Sequence, residues 1–133
     1  MLEIPSTPNE LKRDVEDAVK RNQKTNGYIG WSFHGGEGDL GVNPFLCKEA
    51  SVIIIIRDIQ FYPDKFYTEG IPVITSSLRR ISPDFFDVRI KSPNYLNNAL
   101  AKIEAAQAGC MEAVMLTQEG YVAECTGDNI FIV

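Results

Sequence analysis

Lys91 and Glu124 are the two side chains whose types and surroundings point most directly to covalent chemistry. Lys91 lies in the segment Arg89 to Gly109, RIKSPNYLNNALAKIEAAQAG, and Glu124 follows in YVAECTGDN. A neutral lysine amine attacks carbonyl carbons, and a carboxylate beside a ring nitrogen favours the protonated ring. An amine and a carboxylate arranged this way can hold and tune a pyridoxal cofactor. An unperturbed lysine, with a pKa of roughly 10.4, is almost wholly protonated at neutral pH, so its surroundings must supply a shift. Taken alone, a lysine near a helix end is most often a solvated surface charge.

The elements around Lys91 bear on that shift. Phe86 to Ile90 reads as a short extended run, and Ser92 and Pro93 are the types favoured at a helix N-cap and first helical position. The sequence therefore predicts a helix beginning just after Lys91. Leu96, Leu100, Ile103 and Ala106 recur at helical spacing, and Gly109 supplies a stop. Lys91 would then sit at the positive end of the helix dipole, which disfavours the ammonium form.

Upstream, Thr7-Pro8-Asn9-Glu10 reads as a capping box opening a helix with Leu11, Val15, Ala18 and Val19 on one face. Asn26-Gly27 ends that connection. Tyr28 to Phe33 reads as a strand, Gly35 to Gly41 as a loop, and Ser51 to Ile56 as a fully buried strand, because five consecutive β-branched residues leave no polar face. Pro63, Asp64 and Gly70 break the periodicity, and Phe61, Tyr62, Phe66 and Tyr67 are placed to pin a connector. Ile71 to Ser76 reads as a strand, and Glu112 to Leu116 with Tyr121 to Glu124 as a hairpin around Gln118-Glu119-Gly120. The final run, Asn129 to Val133, has the apolar pattern of a strand.

IKSPNYLNNALAKIEAAQAGCMEAVML and GYVAECTGDNIFIV resemble the lysine-bearing and glutamate-bearing segments of the class IV pyridoxal-phosphate enzymes. GYIGWSFHGGEGDLGVNP and GIPVITSSLRRISPDFFD resemble the branched-chain aminotransferase subgroup in spacing and wording. The resemblance runs from about residue 8 to the last residue. It implies an α+β fold: residues 1–62 as part of a small α/β domain, 63–70 as an interdomain connector, and 71–133 as the first part of a larger, β-rich cofactor-binding domain. The implied cofactor is pyridoxal 5′-phosphate. By this resemblance Lys91 forms the Schiff base and shuttles the proton, Tyr95 approaches the phenolic oxygen, and Glu124 pairs with the pyridine nitrogen. Thr126 and Gly127 lie near the ring and phosphate, and Tyr28 belongs to the substrate pocket. The implied activity is transamination of branched-chain amino acids with a 2-oxo acid, by a cytoplasmic homodimer.

Departures from the family pattern accompany the matches. Gly30 and Gly35 stand where many relatives carry arginine, and Pro93 where leucine or glycine is usual. A glycine cannot replace a bidentate guanidinium, so recognition of a distal carboxylate at position 30 is not expected. Family members also continue beyond both ends of this sequence, and the arginine that grips the cofactor phosphate normally precedes it. Two alternatives follow. One is a D-amino acid aminotransferase or aminodeoxychorismate lyase-like enzyme, sharing the lysine and glutamate. The other is a truncated, non-catalytic module that associates through its terminal strand edge.

Composition excludes several other classes. With 133 residues, 44% hydrophobic and 23% charged, the chain has the make-up of a packed globular domain. A formal charge of -5, with Arg79-Arg80 the basic pair that stands out, argues against a nucleic-acid surface. No apolar stretch reaches the roughly 20 residues needed to span a bilayer, and no signal-peptide pattern opens the chain. Cys47, Cys110 and Cys125 are widely spaced and odd in number, which suits reduced thiols rather than disulfides or zinc. HGGEGDLG lacks the pattern of a phosphate loop. Within it, Glu37 and Asp39 read as solvated carboxylates, so no metal site is expected. His34, the single histidine, reads as a strand-end residue. Arg79-Arg80 suits either an anion or a surface ion pair, and Cys125 reads as a small packed residue.

Overall fold

The computed structural model describes residues 3–133, so residues 1 and 2, at the head of the expected 1–62 part, lie outside the described residues. The chain divides into two units, one ending at Phe61 and the other running from Tyr62 to Val133. Both mix helix and strand, as the α+β reading expects.

In the first unit, helix α1 spans Pro8–Arg21. The capping box closes as read: the Thr7 N–H donates to Glu10 Oε2 at 2.8 Å, and the Glu10 N–H donates to Thr7 Oγ1 at 3.3 Å. Strands β1, Tyr28–His34, and β2, Ser51–Arg57, pair antiparallel from Tyr28 opposite Arg57 to His34 opposite Ser51. α1 packs against β2. The expectation of a fully buried β2 is overturned, because exposure alternates along the strand and leaves Ile53 and Ile55 nearly half exposed. A two-stranded sheet with a helix on one side covers one face only, whatever the side chains on the other.

Between the strands the chain loops through a 3-10 turn at Pro44–Leu46. Gly36 is required there. Its φ is +86°, and a Cβ would fall 1.6 Å from the Glu49 carbonyl oxygen.

The second unit opens with a short helix, α2, Lys65–Glu69. Of the four aromatics expected to pin the connector, Tyr62 and Phe66 meet edge to face at 6.4 Å, and Tyr62 donates its hydroxyl hydrogen bond to Asp128 at 3.2 Å. Phe61 and Tyr67 are exposed instead. Strand β3, Val73–Arg79, begins two residues later than expected and pairs parallel with β4, Glu112–Leu116. β4 pairs antiparallel with β5, Val122–Cys125, in the anticipated hairpin, giving the order β3-β4-β5. Asn129 to Val133 forms no strand, and its three terminal residues are exposed, which corrects the β reading of that run.

Helix α3, Leu96–Gln107, crosses from β3 to β4 and packs on both. It starts five residues after Lys91 rather than directly after it. Local hydrogen bonds explain the delay: the Asn94 N–H donates to Ser92 Oγ at 3.1 Å, and the Tyr95 N–H donates to the Pro93 carbonyl at 2.8 Å. The serine and proline build a turn ahead of the helix rather than its cap. Phe86 to Ile90 is likewise a chain of turns, not an extended run, with the Ile90 N–H bonded to the Asp87 carbonyl at 3.0 Å. At the other end Gly109 takes φ +71° and stops the helix as expected. The face of α3 against the sheet is Asn98, Ala101 and Ala105, while Leu96, Leu100, Ile103 and Ala106 are exposed. Alanines let the helix approach the strands closely, and Ala113 and Met115 of β4 complete the buried core. Glu104 ties α3 to β3, accepting from Ser76 Oγ at 2.6 Å and from the Ser77 N–H at 3.0 Å.

Candidate active site

A cavity of about 220 Å³ lies in the second unit among β3, the turns before α3 and β5, and Lys91, Tyr95 and Glu124 all line it. Arg80, Ser92 and Asn98 line it too. A cavity of about 530 Å³ in the first unit is apolar, walled by Leu11, Val15, Trp31, Phe33, Val52 and Ile54. Lys12 and Glu16 are the charged residues that line it.

Lys91 is brought to the site by the turn preceding α3, and its Nζ stands 3.3 Å from the Tyr95 hydroxyl. The same nitrogen lies 5.9 Å from the Tyr95 ring centroid. The amine is therefore paired with a phenol. It does not sit at a helix end, and a helix-terminus field falls off within about one turn. The i, i+4 spacing of these two residues brings them together although no helix joins them.

Glu124 sits near the end of β5, where the antiparallel pairing sets Met115 opposite it. Its Oε1 takes an ion pair from Arg80 Nε at 2.7 Å and a hydrogen bond from Asn98 Nδ2 at 3.3 Å. Arg80 follows directly on β3, where its N–H donates to the Leu116 carbonyl at 2.9 Å. Of the two readings open for Arg79-Arg80, Arg80 takes the ion pair, in a part-buried setting and not on the surface. Neither Arg80's pairing with Glu124 nor the role of Asn98 was read from the sequence. The signal available was a polar asparagine at helical spacing from Ala101 and Ala105, on the face that turns out to be buried.

Thr126 and Gly127 behave differently from each other. Thr126 is buried, and its hydroxyl and N–H both go to Glu112 Oε1, the latter at 3.2 Å. Its hydroxyl therefore points into the core, while its carbonyl accepts from Asn98 Nδ2 at 2.9 Å. Gly127 is exposed, with nothing within 4 Å of where a Cβ would stand.

Glu112 itself is a buried carboxylate. Burial pushes its pKa up, but hydrogen bonds from Thr126, Ala113 and Lys102 outweigh that and bring it down to about 2. Lys102 Nζ lies 3.1 Å from it. Cys125, beside Glu124, is buried, and burial followed by the Glu112 charge raises its thiol pKa, which fits a packed residue and not a nucleophile.

Tyr28 lies at the start of β1 in the first unit, with its ring over Gly30. A Cβ at position 30 would stand 2.9 Å from Cε1 of that ring. His34 ends β1, where its Nε2 meets Ser32 Oγ at 2.7 Å, and Glu37 and Asp39 are exposed.

The donor set suits a pyridoxal-type group: an amine for its aldehyde, a phenol beside that amine, and a carboxylate fixed through one oxygen.

Comparison with known proteins agrees in kind. The family described as Amino-transferase class IV matches residues 1–133. A putative branched-chain-amino-acid aminotransferase from Methanocaldococcus jannaschii is 39% identical over 132 residues, covering 99% of this chain and 45% of that protein. The branched-chain-amino-acid aminotransferase of Pseudomonas aeruginosa is 35% identical over 134 residues, covering 99% of this chain and 43% of its own length. Among solved structures, the branched-chain aminotransferase of the archaeon Thermoproteus uzoniensis with norvaline superposes with a TM-score of 0.85 at 32% identity, over 99% of this chain and 44% of that one. The chain thus spans less than half the length of the relatives it matches.

Proposed function

Since the chain belongs to the class IV aminotransferases, we propose that it carries the lysine-bearing part of a pyridoxal-phosphate-dependent enzyme that transaminates branched-chain amino acids with a 2-oxo acid. The observation that carries this reading is the meeting of Lys91, Tyr95 and Glu124 on one cavity. When bound, pyridoxal phosphate supplies an aldehyde for covalent attachment and a ring that accepts electrons from the substrate α-carbon.

The protein's own groups do the rest. Lys91 Nζ would be the point of attachment for that group, and as a free amine it would take the substrate α-proton as general base and return it. The Tyr95 hydroxyl, 3.3 Å away, orients that amine. Glu124 offers a carboxylate to the ring nitrogen and favours its protonated form. Thr126 contributes through its backbone, because its hydroxyl is committed to Glu112. Gly127, with no side chain, leaves room for close approach of the phosphate end. Tyr28 belongs to the substrate pocket, in a homodimer working in the cytoplasm. No helix among the described residues is long and apolar enough to cross a membrane. Residues 1–62, 63–70 and 71–133 serve as the small-domain part, the connector and the first part of the cofactor domain.

The test is to add pyridoxal phosphate to the purified protein, trap with borohydride and map the modified peptide. Label on Lys91, absent from Lys91→Ala, is the expected result. Label elsewhere in the wild type, or none, overturns the reading. The labelled enzyme's unreduced form should then turn over leucine, isoleucine and valine.

One observation favours a second reading. Gly30 provides no guanidinium for a distal carboxylate, and the Tyr28 ring fills the space where a side chain would begin. A D-amino acid aminotransferase or aminodeoxychorismate lyase-like enzyme shares the lysine and glutamate, and turnover of D-alanine in place of L-leucine would select it.

A further inference from the structure

The proposed chemistry uses Glu124 but leaves unexplained two residues that hold it. Arg80 Nε lies 2.7 Å from Glu124 Oε1, and its side chain is only 17% exposed. The guanidinium is itself fixed, since Nη1 donates to Asn98 Oδ1 at 2.8 Å and to Asn97 Oδ1 at 3.1 Å. Asn98 is buried, and its amide donates both to Glu124 Oε1 at 3.3 Å and to the Thr126 carbonyl at 2.9 Å. Among the described residues, no hydrogen bond reaches Glu124 Oε2.

We propose that Arg80 and Asn98 are positioning residues that occupy Glu124 Oε1 and hold Oε2 free for a heterocyclic nitrogen in the cavity lined by Lys91. The inference rests on the cofactor reading above and deepens it. A glutamate side chain left to itself samples several rotamers, and fixing one of them before binding removes that ordering cost from the binding step. The Arg80 charge fixes the distance to Oε1, and its own bonds to Asn97 and Asn98 hold the guanidinium in place. The geometry divides the carboxylate: one oxygen belongs to the protein and the other to the ligand.

The experiment compares two probes on the purified protein. One is pyridoxal 5′-phosphate, and the other is its 1-deaza analogue, in which carbon replaces the ring nitrogen that Glu124 would meet. Dissociation constants are measured for wild type, Arg80→Met, Arg80→Lys and Asn98→Ala, and for Arg80→Met in a Glu124→Gln background. Arg80→Met is expected to weaken pyridoxal phosphate about tenfold and to leave the deaza analogue unchanged. In the Glu124→Gln background the same replacement should have no further effect. Arg80→Lys, which keeps the charge and loses the fork, should fall between wild type and Arg80→Met, and it carries the comparison if Arg80→Met does not fold.

Equal losses for both probes, or a loss that persists without Glu124, overturn the positioning role while borohydride labelling of Lys91 stays intact. Failure of the wild type to bind either probe at Lys91 sinks the cofactor reading, and this inference with it.

Discussion

Glu112 is a buried carboxylate that meets Thr126 and Lys102, partners 14 and 10 residues away in sequence. Its carboxylate is buried under hydrogen bonds from Thr126, Ala113 and Lys102 that bring its pKa down to about 2. An unfolded glutamate titrates near 4.3, so the folded form binds its proton less readily than the unfolded form. The stabilisation is complete above the unfolded value and is lost as pH falls from about 4.3 toward 2. Its size is on the order of 2–3 kcal/mol. Glu112→Gln should therefore flatten the fall in melting temperature between pH 5 and pH 2, and an unchanged acid profile would show that the carboxylate is not the group responsible. Cys125 gives a second expectation at this scale. Its burial and raised thiol pKa make it the slowest of the three cysteines to react with iodoacetamide in the native protein, with Cys47 and Cys110 labelled first.

Among the elements, the two longer helices show opposite relations between local code and packing. α1 begins where its capping box says it must, because Thr7 and Glu10 satisfy each other without help from the rest of the chain. Thr7→Ala should cost about 1 kcal/mol in denaturant unfolding of the unit that holds α1. α3 begins late because Ser92 and Pro93 make a turn of their own. It also buries its alanines in preference to its leucines. Ala101→Leu, which forces extra carbons against β3 and β4, should cost about 1–3 kcal/mol. Leu100→Ala, on the exposed side, should cost less, and a larger loss there would mean that the other face of α3 is the packed one. The Arg80–Glu124 pair belongs to this scale as well, since the residue following β3 meets a residue of β5 across the intervening β4.

For the whole molecule, the notable quantity is how little large apolar surface the 133 residues cover. Among the described residues the fully buried hydrophobic side chains are Ala101, Ala105, Ala113 and Met115, while Trp31, Ile53, Ile55, Leu96 and Ile103 are among the exposed ones. A globular chain of this size ordinarily buries roughly two-thirds of the surface that its unfolded form exposes, and large exposed apolar patches are associated with contacts to other surfaces. The 133-residue chain alone should bind the dye ANS strongly, and iodide should quench Trp31, its single tryptophan, readily. Weak dye binding and a protected Trp31 would show that this surface is covered.

The sequence by itself determined the features whose partners are close neighbours. The capping box of α1, the turn of the β4–β5 hairpin and the stop at Gly109 each depend on a few consecutive residues and their local conformation. The motifs around Lys91 and Glu124 likewise pointed to the family. Tertiary structure alone decided which face of α3 is covered, that Ile53 and Ile55 of an all-apolar strand are half exposed, and that Asn129 to Val133 pairs with no strand among the described residues. It also decided that Arg80 and Asn98 meet Glu124, and that the Thr126 hydroxyl turns to Glu112. The physical reason is shared: hydrophobic spacing says that a face is apolar but not what covers it, and a charged residue names its partner only once strand order and register have set which side chains lie within hydrogen-bonding distance.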